Sequence, residues 1–458
     1  MKRRKKIFMT LVVIASLACT VNGVQAKVLD EEQARNAVTA FFSLSPSGKR
    51  MPAKKQQQPL RLRGHEMGCY IFDKLEGGTV FVADDDAIGR TILGYTEQGC
   101  FDADSLPTGL RDWLDQVSVL MTAVHEGKIN REFAQPTRTG QIVVNALIKT
   151  AWNQYEPYNN LCPTRNGKRC ITGCVATAMA QVMKYWEWPK HGYGSVTYYD
   201  EAGCGMTLSQ DFSRNYYRWD KMLNDYSQAK GYSTEQADAV ATLMRDCGYA
   251  VNMCYTPSES SGGVSANIMR KYFHYSIASK DRYSGEYPKD MWHEFIQQDL
   301  REGRPVLYNG QSAKGGHEFI IDGYDTNGYY HVNWGWGGYQ DGWFMLTNLN
   351  GYNDDQMMIN NLMPDYNENP VFSYTLDDSV LTISGSGVMN NYGHDNADIW
   401  HTNAPWGYDL TSVTIGNSIT SIGNNAFIGC QQLSSLTIGT GVITIGTNAF
   451  DHCDALTE

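Results

Sequence analysis

Hydrophobic and polar positions alternate differently in three successive parts of the chain. In the first part, the segments DEEQARNAVTAFFSL and LRDWLDQVSVLMTAVHEG carry apolar residues at helical spacing. Between them, GCYIFDKLEGGTVFVADDDAIGRTILGYTEQG shows short β-rich runs separated by Gly and Asp turns. This pattern predicts a small α+β domain that ends near residue 130.

In the second part, from about residue 140 to about residue 365, predicted helices come before predicted strands. Helical spacing appears in CVATAMAQVMKYW and STEQADAVATLMRDCGY. Strand-like runs follow in RPVLYNGQ, HEFIIDGY, GYYHVNWGW and GWFMLTNL. Helices in one half and strands in the other predict a two-lobed α+β domain, with a site between the lobes.

The third part is repetitive, because SVTIGNSITSIGNNAFIGC is nearly restated by SLTIGTGVITIGTNAFDHC. A period of about 23 residues with recurring Leu and Ile positions is typical of a leucine-rich solenoid, in which each repeat buries its apolar side against the next. We expect Cys430 and Cys453 to stack inside this ladder. Two repeats alone are marginal, and the chain stops where a third would begin, so we predict a truncated array or a missing capping element.

The first residues predict a secretory signal peptide rather than a domain. A basic start, MKRRKK, is followed by the apolar run IFMTLVVIASLA and by a small-residue cleavage site that ends at Ala26. A lipid anchor at Cys19 is the second alternative. The predicted divisions of the chain are then a signal peptide at 1–26, an N-terminal domain at 27–138, a two-lobed domain at 139–366 and a repeat region at 370–458. The polar segment NREFAQPTRTGQ has the composition of an exposed, cleavable linker.

Charge and cysteine content exclude several classes of function. The formal net charge is −11, and removal of residues 1–26 would take away five basic residues and no acidic one, which argues against nucleic-acid binding. No later stretch has the apolar length of a membrane span. The cysteines are too few for a disulfide scaffold and form no CxxC pair, so a structural metal site is not expected. Cys162 and Cys170 could pair if the polar loop between them folds back.

The segment TGCVATAMAQVMKYW places one cysteine where a glycine-led turn gives way to a helix. The helix is apolar on nearly every side, which predicts burial, and Pro189 would end it. A cysteine in the first turn lies at the positive end of the helix dipole, which stabilises a thiolate and lowers the pKa of the thiol. Its backbone N–H is available to a developing oxyanion. Cys174 is therefore a candidate nucleophile, although a small residue at a crowded turn explains the position equally well when it is taken alone.

Two further segments supply partners for this cysteine. GGHEFIIDGY places His317 at the start of a strand-like run, and its separation from Cys174 falls within the roughly 130 to 150 residues typical of papain-type proteases. Downstream, HVNWGWGG presents Asn333 and then Trp334, the order expected of a side-chain amide that fixes an imidazole and an indole that shields the contact from water. We predict His317 as general acid and base, Asn333 as the residue that orients it, and Trp334 as its shield.

With these segments, the chain resembles the streptopain family of secreted bacterial cysteine proteases, which have a papain-like fold. The resemblance rests on GCVATAMAQVMKYWEWP, GGHEFIIDGY, YYHVNWGWGG and AWNQYEPYNNLCP. The last of these segments implies that Gln154 supplies a donor to the oxyanion hole. GGTVFVADDDAIGRTILGYTEQGCFDAD resembles the family propeptide, which implies that the N-terminal domain is an intramolecular inhibitor with a high local concentration at the cleft.

The C-terminal part resembles the BspA-like leucine-rich repeats of bacterial surface proteins. Its first segment, FSYTLDDSVLTISGSGVM, is similar to the β-hairpin that often precedes such repeats. This second resemblance implies anchoring or partner recognition, and therefore a protein or surface ligand for the repeats.

One residue departs from the streptopain pattern, because the residue after the histidine is usually alanine and here it is Glu318. Strand alternation would point the Glu318 side chain away from His317 and make the substitution neutral. If the strand twists, a carboxylate beside the imidazole would raise the pKa of His317 and alter the pH range or the substrate preference. The sequence leaves both alternatives open.

Together, the residues and the resemblance predict a secreted cysteine endopeptidase that is made as a zymogen and hydrolyses peptide bonds through a thioester, without a cofactor. Cys174 and His317 would rest as a thiolate and imidazolium pair. Two alternatives stay open: a non-catalytic surface adhesin in which the repeats bind, and an acyl transferase that uses the same Cys-His chemistry.

Overall fold

The computed structural model describes residues 28–43, 59–88, 91–128, 140–227, 231–312, 315–346, 356–365, 372–385, 387–389, 391–392, 394–396, 399–402 and 404–457. The predicted signal peptide and most of the predicted cleavable linker lie outside these residues. In the described part, no helix combines the length and the apolar character needed to cross a bilayer.

Six α-helices form in the described residues: α1 (Glu31–Ser43), α2 (Thr108–His125), α3 (Cys174–Trp186), α4 (Thr234–Ala250), α5 (Ala266–Phe273) and α6 (Lys289–Arg301). The first four match segments in which the hydrophobic spacing predicts a helix. The sequence analysis did not predict α5 and α6, which are short or carry a largely polar surface.

Helix α3 is the central helix of the two-lobed domain. Every residue from Val175 to Lys184 is buried, as the apolar composition on all sides predicts. The helix ends at Trp186, and Glu187 adopts a left-handed conformation with φ of 49° directly after it. Pro189 follows and prevents the helix from continuing.

One long antiparallel sheet joins the N-terminal domain to the two-lobed domain. Its strands lie in the order β1-β2-β3-β4-β14-β13-β12-β11-β15-β10, with β5 paired to β12. Their bounds are β1 (Leu60–Glu66), β2 (Cys69–Lys74), β3 (Thr79–Ala83), β4 (Ile92–Thr96), β5 (Ile142–Val144), β10 (Lys280–Tyr283), β11 (Val306–Ser312), β12 (Gly315–Asp325), β13 (Tyr330–Asn333), β14 (Gly342–Phe344) and β15 (Met357–Asn360).

The junction between the two domains is the pairing of β4 with β14. Trp343 lies opposite Tyr95 and Phe344 lies opposite Gly94. A side chain at Gly94 would place its Cβ 2.6 Å from Cδ1 of Phe344, so glycine permits the close approach. The sequence analysis did not predict this continuous sheet.

Two hydrophobic cores lie on opposite faces of the central strands. Tyr308, Phe319 and Ile321 face one core, which also contains α2 and the strands of the N-terminal domain. Leu307 and Ile320 face the other core, which surrounds α3, α4 and α5. Because side chains alternate along β11 and β12, these strands form the wall between the two lobes. The predicted two-lobed α+β architecture is confirmed.

Two small hairpins complete the two-lobed domain: β6 (Thr164–Arg165) with β7 (Lys168–Arg169), and β8 (Ser195–Tyr199) with β9 (Thr207–Asp211). The first hairpin folds back the polar loop between Cys162 and Cys170. Both cysteines are buried free thiols.

The C-terminal region begins with an antiparallel hairpin and continues as a parallel ladder, as the repeat period predicts. Its strands are β16 (Phe372–Asp377), β17 (Val380–Gly385), β18 (Gly387–Val388), β19 (His394–Asn396), β20 (Ile399–Thr402), β21 (Ser412–Ile415), β22 (Ile419–Ile422), β23 (Ser435–Ile438) and β24 (Thr444–Ile445). Strands β17, β21 and β23 pair in parallel, and so do β18, β22 and β24. Phe427 and Phe450 stack with ring centroids 5.0 Å apart, and both Cys430 and Cys453 are buried in this core.

Candidate active site

Cys174 is the first residue of α3, where the preceding loop positions it. Gly173 before it has φ of 83°, and a Cβ there would lie 2.9 Å from the backbone oxygen of Ser260, so only glycine fits this turn without strain. The backbone carbonyl of Gly173 accepts hydrogen bonds from the N–H and the hydroxyl of Thr177, at 3.2 and 2.9 Å. The loop therefore holds Cys174 at the helix N-terminus, as predicted.

Gln154 lies next to the same loop. Its backbone carbonyl accepts a hydrogen bond of 3.1 Å from the N–H of Thr172, two residues before the cysteine. Its own N–H donates to Oδ1 of Asn153 at 2.7 Å, and the residue is buried. The backbone pairing brings Gln154 and Cys174 into one site, although the sequence separates them by a loop and a hairpin.

Burial disfavours a thiolate at Cys174. The surrounding protein desolvates the sulfur and raises the pKa of Cys174, and this effect outweighs the nearby backbone groups that favour a thiolate. Those backbone groups belong to Glu318, Val175 and Cys174 itself. The helix N-terminus alone therefore does not produce the thiolate that we expected from its dipole.

His317 lies on β12 and is turned away from the cysteine. Its Nε2 lies 3.3 Å from the backbone oxygen of Trp334, and its ring stacks on Phe319. No hydrogen bond joins His317 to Cys174 in the described residues, and burial lowers the pKa of His317. Burial disfavours the charged form of each group in this structure, and the thiolate and imidazolium pair stays a prediction for the processed enzyme.

The first turn of α2 packs directly on His317. A Cβ at Gly109 would lie 2.4 Å from Cδ2 of His317 and 2.7 Å from Cε3 of Trp334. The backbone of the N-terminal domain is thus in van der Waals contact with the candidate general base. Any side chain at position 109 would push the imidazole or the helix away.

Asp112, one turn further along α2, is also buried at this interface. Its charge favours the protonated form of both Cys174 and His317, but burial has the larger effect and lowers the pKa of His317 overall. The same helix therefore supplies a steric contact through Gly109 and an electrostatic contact through Asp112.

Asn333 is held by other partners than His317. Its Oδ1 accepts hydrogen bonds of 3.0 Å from Nε2 of Gln181 and from the N–H of Gly335, and its Nδ2 donates to the carbonyl of Thr150 at 3.0 Å. The three bonds fix the amide on β13 between the two lobes. None of these three bonds is to His317, and the role of Asn333 in orienting the imidazole of the processed enzyme stays a prediction.

Trp334 is buried beside His317, and its role as a shield of a His-Asn contact stays a prediction. Its indole N–H donates to the carbonyl of Gln340 at 3.1 Å, and its backbone N–H donates to Oδ1 of Asp341 at 2.9 Å. Phe319 and Phe344 pack against the indole with ring centroids 5.0 and 5.3 Å away. The indole thus covers the His317 side of the site.

Glu318 faces the cysteine rather than the histidine. Its side chain shares a face of the sheet with Asn309 and Ile320, which is the face that packs on α3. The side chain of Glu318 therefore points away from His317, which is the direction that strand alternation predicts. It is not a neutral exchange for alanine, because a carboxyl group is now buried beside the candidate nucleophile.

The hydrophobic pattern predicts α2 as a helix but not its contribution to this site. In the structure, Gly109, Asp112 and Gln116 form a second buried stripe beside Trp113. The sequence did carry a signal for this second contact surface. One small residue and two polar residues recur at helical spacing, and a second stripe on a helix indicates a second surface that packs against the protein. Gln181 was missed as well, because a lone glutamine in a buried helix gave no hint of its hydrogen bond to Asn333.

No group of three or more His, Cys, Asp or Glu side chains in the described residues has the arrangement of a metal site. The arrangement that is present can perform nucleophilic chemistry once His317 reaches Cys174. A helix N-terminus, a nearby glutamine and a buried imidazole are the groups that acyl transfer to a thiol requires.

Sequence models of three families match this chain. The peptidase C10 family matches residues 152–344, the Spi protease inhibitor matches residues 26–120, and the BspA type leucine-rich repeat region matches residues 404–458. These matches coincide with the two-lobed domain, the N-terminal domain and the parallel ladder.

Individual relatives agree with these matches. The thiol protease/hemagglutinin PrtT of Porphyromonas gingivalis is 34% identical over 360 residues, which make up 72% of this chain and 40% of PrtT. Streptopain of Streptococcus pyogenes serotype M1 is 32% identical over 349 residues, or 70% of this chain and 85% of streptopain. A fragment of prointerpain A from Prevotella intermedia superimposes with a TM-score of 0.57 at 30% identity, covering 66% of this chain and 98% of the fragment.

The similarity to these relatives extends over the N-terminal domain as well as the two-lobed domain. The helix that packs on His317 therefore belongs to a propeptide. The resemblance found in the sequence is confirmed for the protease and for the repeats. This chain belongs to the streptopain family of cysteine proteases, the peptidase C10 family.

Proposed function

We propose that this chain is the zymogen of a secreted cysteine endopeptidase that cleaves protein substrates. The observation that carries the proposal is the joining of Gln154 and Cys174 through the loop at the N-terminus of α3, with a propeptide helix packed on His317. The first feature provides a nucleophile and a pair of oxyanion donors. The second explains why the enzyme is inactive until it is processed.

In the processed enzyme, Cys174 attacks the peptide carbonyl carbon and forms a tetrahedral intermediate. The oxyanion accepts hydrogen bonds from the backbone N–H of Cys174 and from the side-chain amide of Gln154, and one such donor contributes about 3 kcal/mol to transition-state stabilisation. His317 then gives its proton to the leaving amine and later activates the water that hydrolyses the thioester. Asn333 orients the ring of His317, and Trp334 shields that contact from water.

Activation requires α2 to leave. While Gly109 covers the imidazole, His317 stays bonded to the carbonyl of Trp334 and cannot meet Cys174. Release of the propeptide, by a cut between about residues 130 and 140, lets the imidazole turn to the thiol. A neighbouring imidazolium then stabilises the thiolate that burial disfavours in the zymogen.

Export depends on the N-terminal segment 1–26, which we propose to be a cleaved signal peptide. The repeats are proposed to bind a protein or surface ligand and thereby hold the protease near its target. A chain that ends at residue 366 should then lose target binding, and equal binding and cleavage of every tested target would argue against this role.

Gln154→Ala and an added amine separate the endopeptidase from its alternatives. In the processed enzyme, this substitution should lower kcat by roughly 10² to 10³, with little change in KM, because the lost donor acts on the oxyanion. Products should be free carboxylates, and they should remain so when a primary amine is added. Amide products would indicate an acyl transferase, and no cleavage by the processed wild type would favour the adhesin.

A further inference from the structure

Glu318 is an ionisable side chain of the protease domain that lies at the site and that the proposed chemistry does not use. It is 1% exposed and lies on β12 next to His317. A carboxyl group buried beside a candidate nucleophile is costly unless its oxygens have partners, so its hydrogen bonds indicate whether it has a role in recognition.

In the described residues, only one of the two oxygens of the Glu318 carboxyl group has a hydrogen-bond partner. Oε2 accepts a hydrogen bond of 3.1 Å from Nδ2 of Asn309, the residue opposite it on β11. Oε1 is buried and has no hydrogen-bond partner in the part of the chain that the structure describes. One oxygen of the group thus lacks the donor that a buried carboxyl oxygen needs, and a donor from outside the chain would satisfy it.

Within the described ranges, no Lys or Arg side chain pairs with this carboxyl. The groups that act on Glu318 are Asn309 from β11, Cys174 from α3, His317 from its own strand and Asp281 from β10. Cys174 and Asp281 disfavour the charged form, and burial raises the pKa of Glu318 to about 8. A bound Lys or Arg side chain would supply the missing opposite charge and the missing donors together.

The position of Glu318 relative to the nucleophile defines which part of a substrate it meets. Glu318 and Cys174 act on each other electrostatically, and the backbone of Glu318 favours the Cys174 thiolate, so Glu318 lies close to the attacking atom. His317 serves the leaving amine, and alternation along β12 directs Glu318 to the opposite face. Substrate side chains on the acyl side of the cleaved bond are therefore the ones within reach.

We propose that Glu318 is a specificity-determining residue that selects a cationic side chain, Lys or Arg, on the acyl side of the cleaved bond. This inference rests on the proposed endopeptidase activity.

The test uses the processed full chain and matched peptide pairs. Each pair carries Lys or its uncharged isostere norleucine at one of the four acyl-side positions, with all other residues fixed. At one position the wild type should cleave the Lys peptide with at least about tenfold higher kcat/KM, the effect of roughly one charge-assisted hydrogen bond.

Three variants make the result specific to the carboxylate. Glu318→Gln keeps the shape and removes the charge, Glu318→Ala removes the carboxyl group, and Glu318→Lys reverses the charge. The Lys to norleucine ratio should fall at least about tenfold in the first two variants. Glu318→Lys should favour a peptide with Glu at the same position.

The outcomes separate this inference from the proposed function. A wild type that cleaves peptides without preference for Lys at any of the four positions overturns the inference and leaves the endopeptidase standing. An unchanged Lys to norleucine ratio in both Glu318→Gln and Glu318→Ala also overturns it. A processed wild type that cleaves no peptide overturns the proposed function, and this inference with it.

Discussion

Gly109 of the propeptide and His317 of the protease are in direct contact, and a Cβ at position 109 would lie 2.4 Å from Cδ2 of the imidazole. This contact keeps the imidazole on the carbonyl of Trp334 and away from Cys174. Latency therefore depends on a glycine in the first turn of α2. A substitution that adds a side chain at this position tests that dependence.

Gly109→Ala should weaken the propeptide. Overpacking of this kind costs about 1–3 kcal/mol, which corresponds to a roughly 5- to 150-fold loss of affinity for the protease. The change should accelerate processing even though alanine favours helix α2 over glycine. The rate of propeptide loss, followed by electrophoresis, measures this effect.

Val119→Ala is the matched control, because Val119 lies on the same helix with 54% of its surface exposed. It should process at the wild-type rate. Slower processing of Gly109→Ala would show that helix propensity, and not contact with His317, governs the release of the propeptide.

Propeptide affinity should fall in acid. Burial lowers the pKa of His317 below its ordinary value of 6.5 in the docked state, so the separated state binds the proton more readily. The contribution of His317 to docking is therefore complete above pH 6.5 and is lost as the pH falls from 6.5 to the lowered pKa. Calorimetric titration of the propeptide into processed Cys174→Ala at pH values from 7.5 to 5 measures the change, and affinity that is constant or rises in acid contradicts it.

Gln181→Leu should destabilise the protease domain by about 1–3 kcal/mol. The glutamine donates to Asn333 and accepts from the hydroxyl of Thr150 and the N–H of Trp152, so its loss leaves buried polar groups unpaired. Urea unfolding in a Cys174→Ala background measures the loss. Gln298→Leu, which removes an exposed hydrogen bond to Glu302, serves as the control and should change stability by less than about 0.5 kcal/mol.

Phe427→Ala should unfold the repeats without affecting the chemistry. Phe427 is fully buried and stacks between Trp406 and Phe450, so its truncation should cost about 3–5 kcal/mol. Limited proteolysis should then degrade the region after residue 404, while kcat/KM of the processed enzyme on a short peptide stays at the wild-type value. A parallel loss of peptide cleavage would show that the ladder supports the active site.

The sequence predicted the local features of the site well. The segment CVATAMAQVMKYW forms α3 with the bounds that its composition indicates, because capping glycine, apolar residues and the following proline all act within a few residues. The repeat period likewise predicted the parallel pairing of Ser412–Ile415 with Ser435–Ile438, since identical repeats stack in register.

The long-range features could not be predicted in the same way. Pairing of β4 with β14 joins segments that are far apart in sequence, and neither strand carries a signal that specifies the other. The same holds for Gly109, whose role depends on a contact with His317 across two domains. Motifs placed Cys174, His317 and Asn333 in one domain, yet the inactive arrangement of their side chains depends on a propeptide helix that no motif encodes.

The most direct measurement compares residues 27–458 with the same chain carrying Cys174→Ala, both incubated under reducing conditions. Mass is followed by electrophoresis, and activity is followed by casein hydrolysis. The wild type should lose an N-terminal piece of roughly 12 kDa, about the mass of a small α+β domain, and gain activity, whereas Cys174→Ala should do neither. Processing and activity that persist in Cys174→Ala, or a wild type that stays inactive after an added protease cuts near residue 138, would contradict the assignment of Cys174 as the nucleophile of a cysteine protease zymogen.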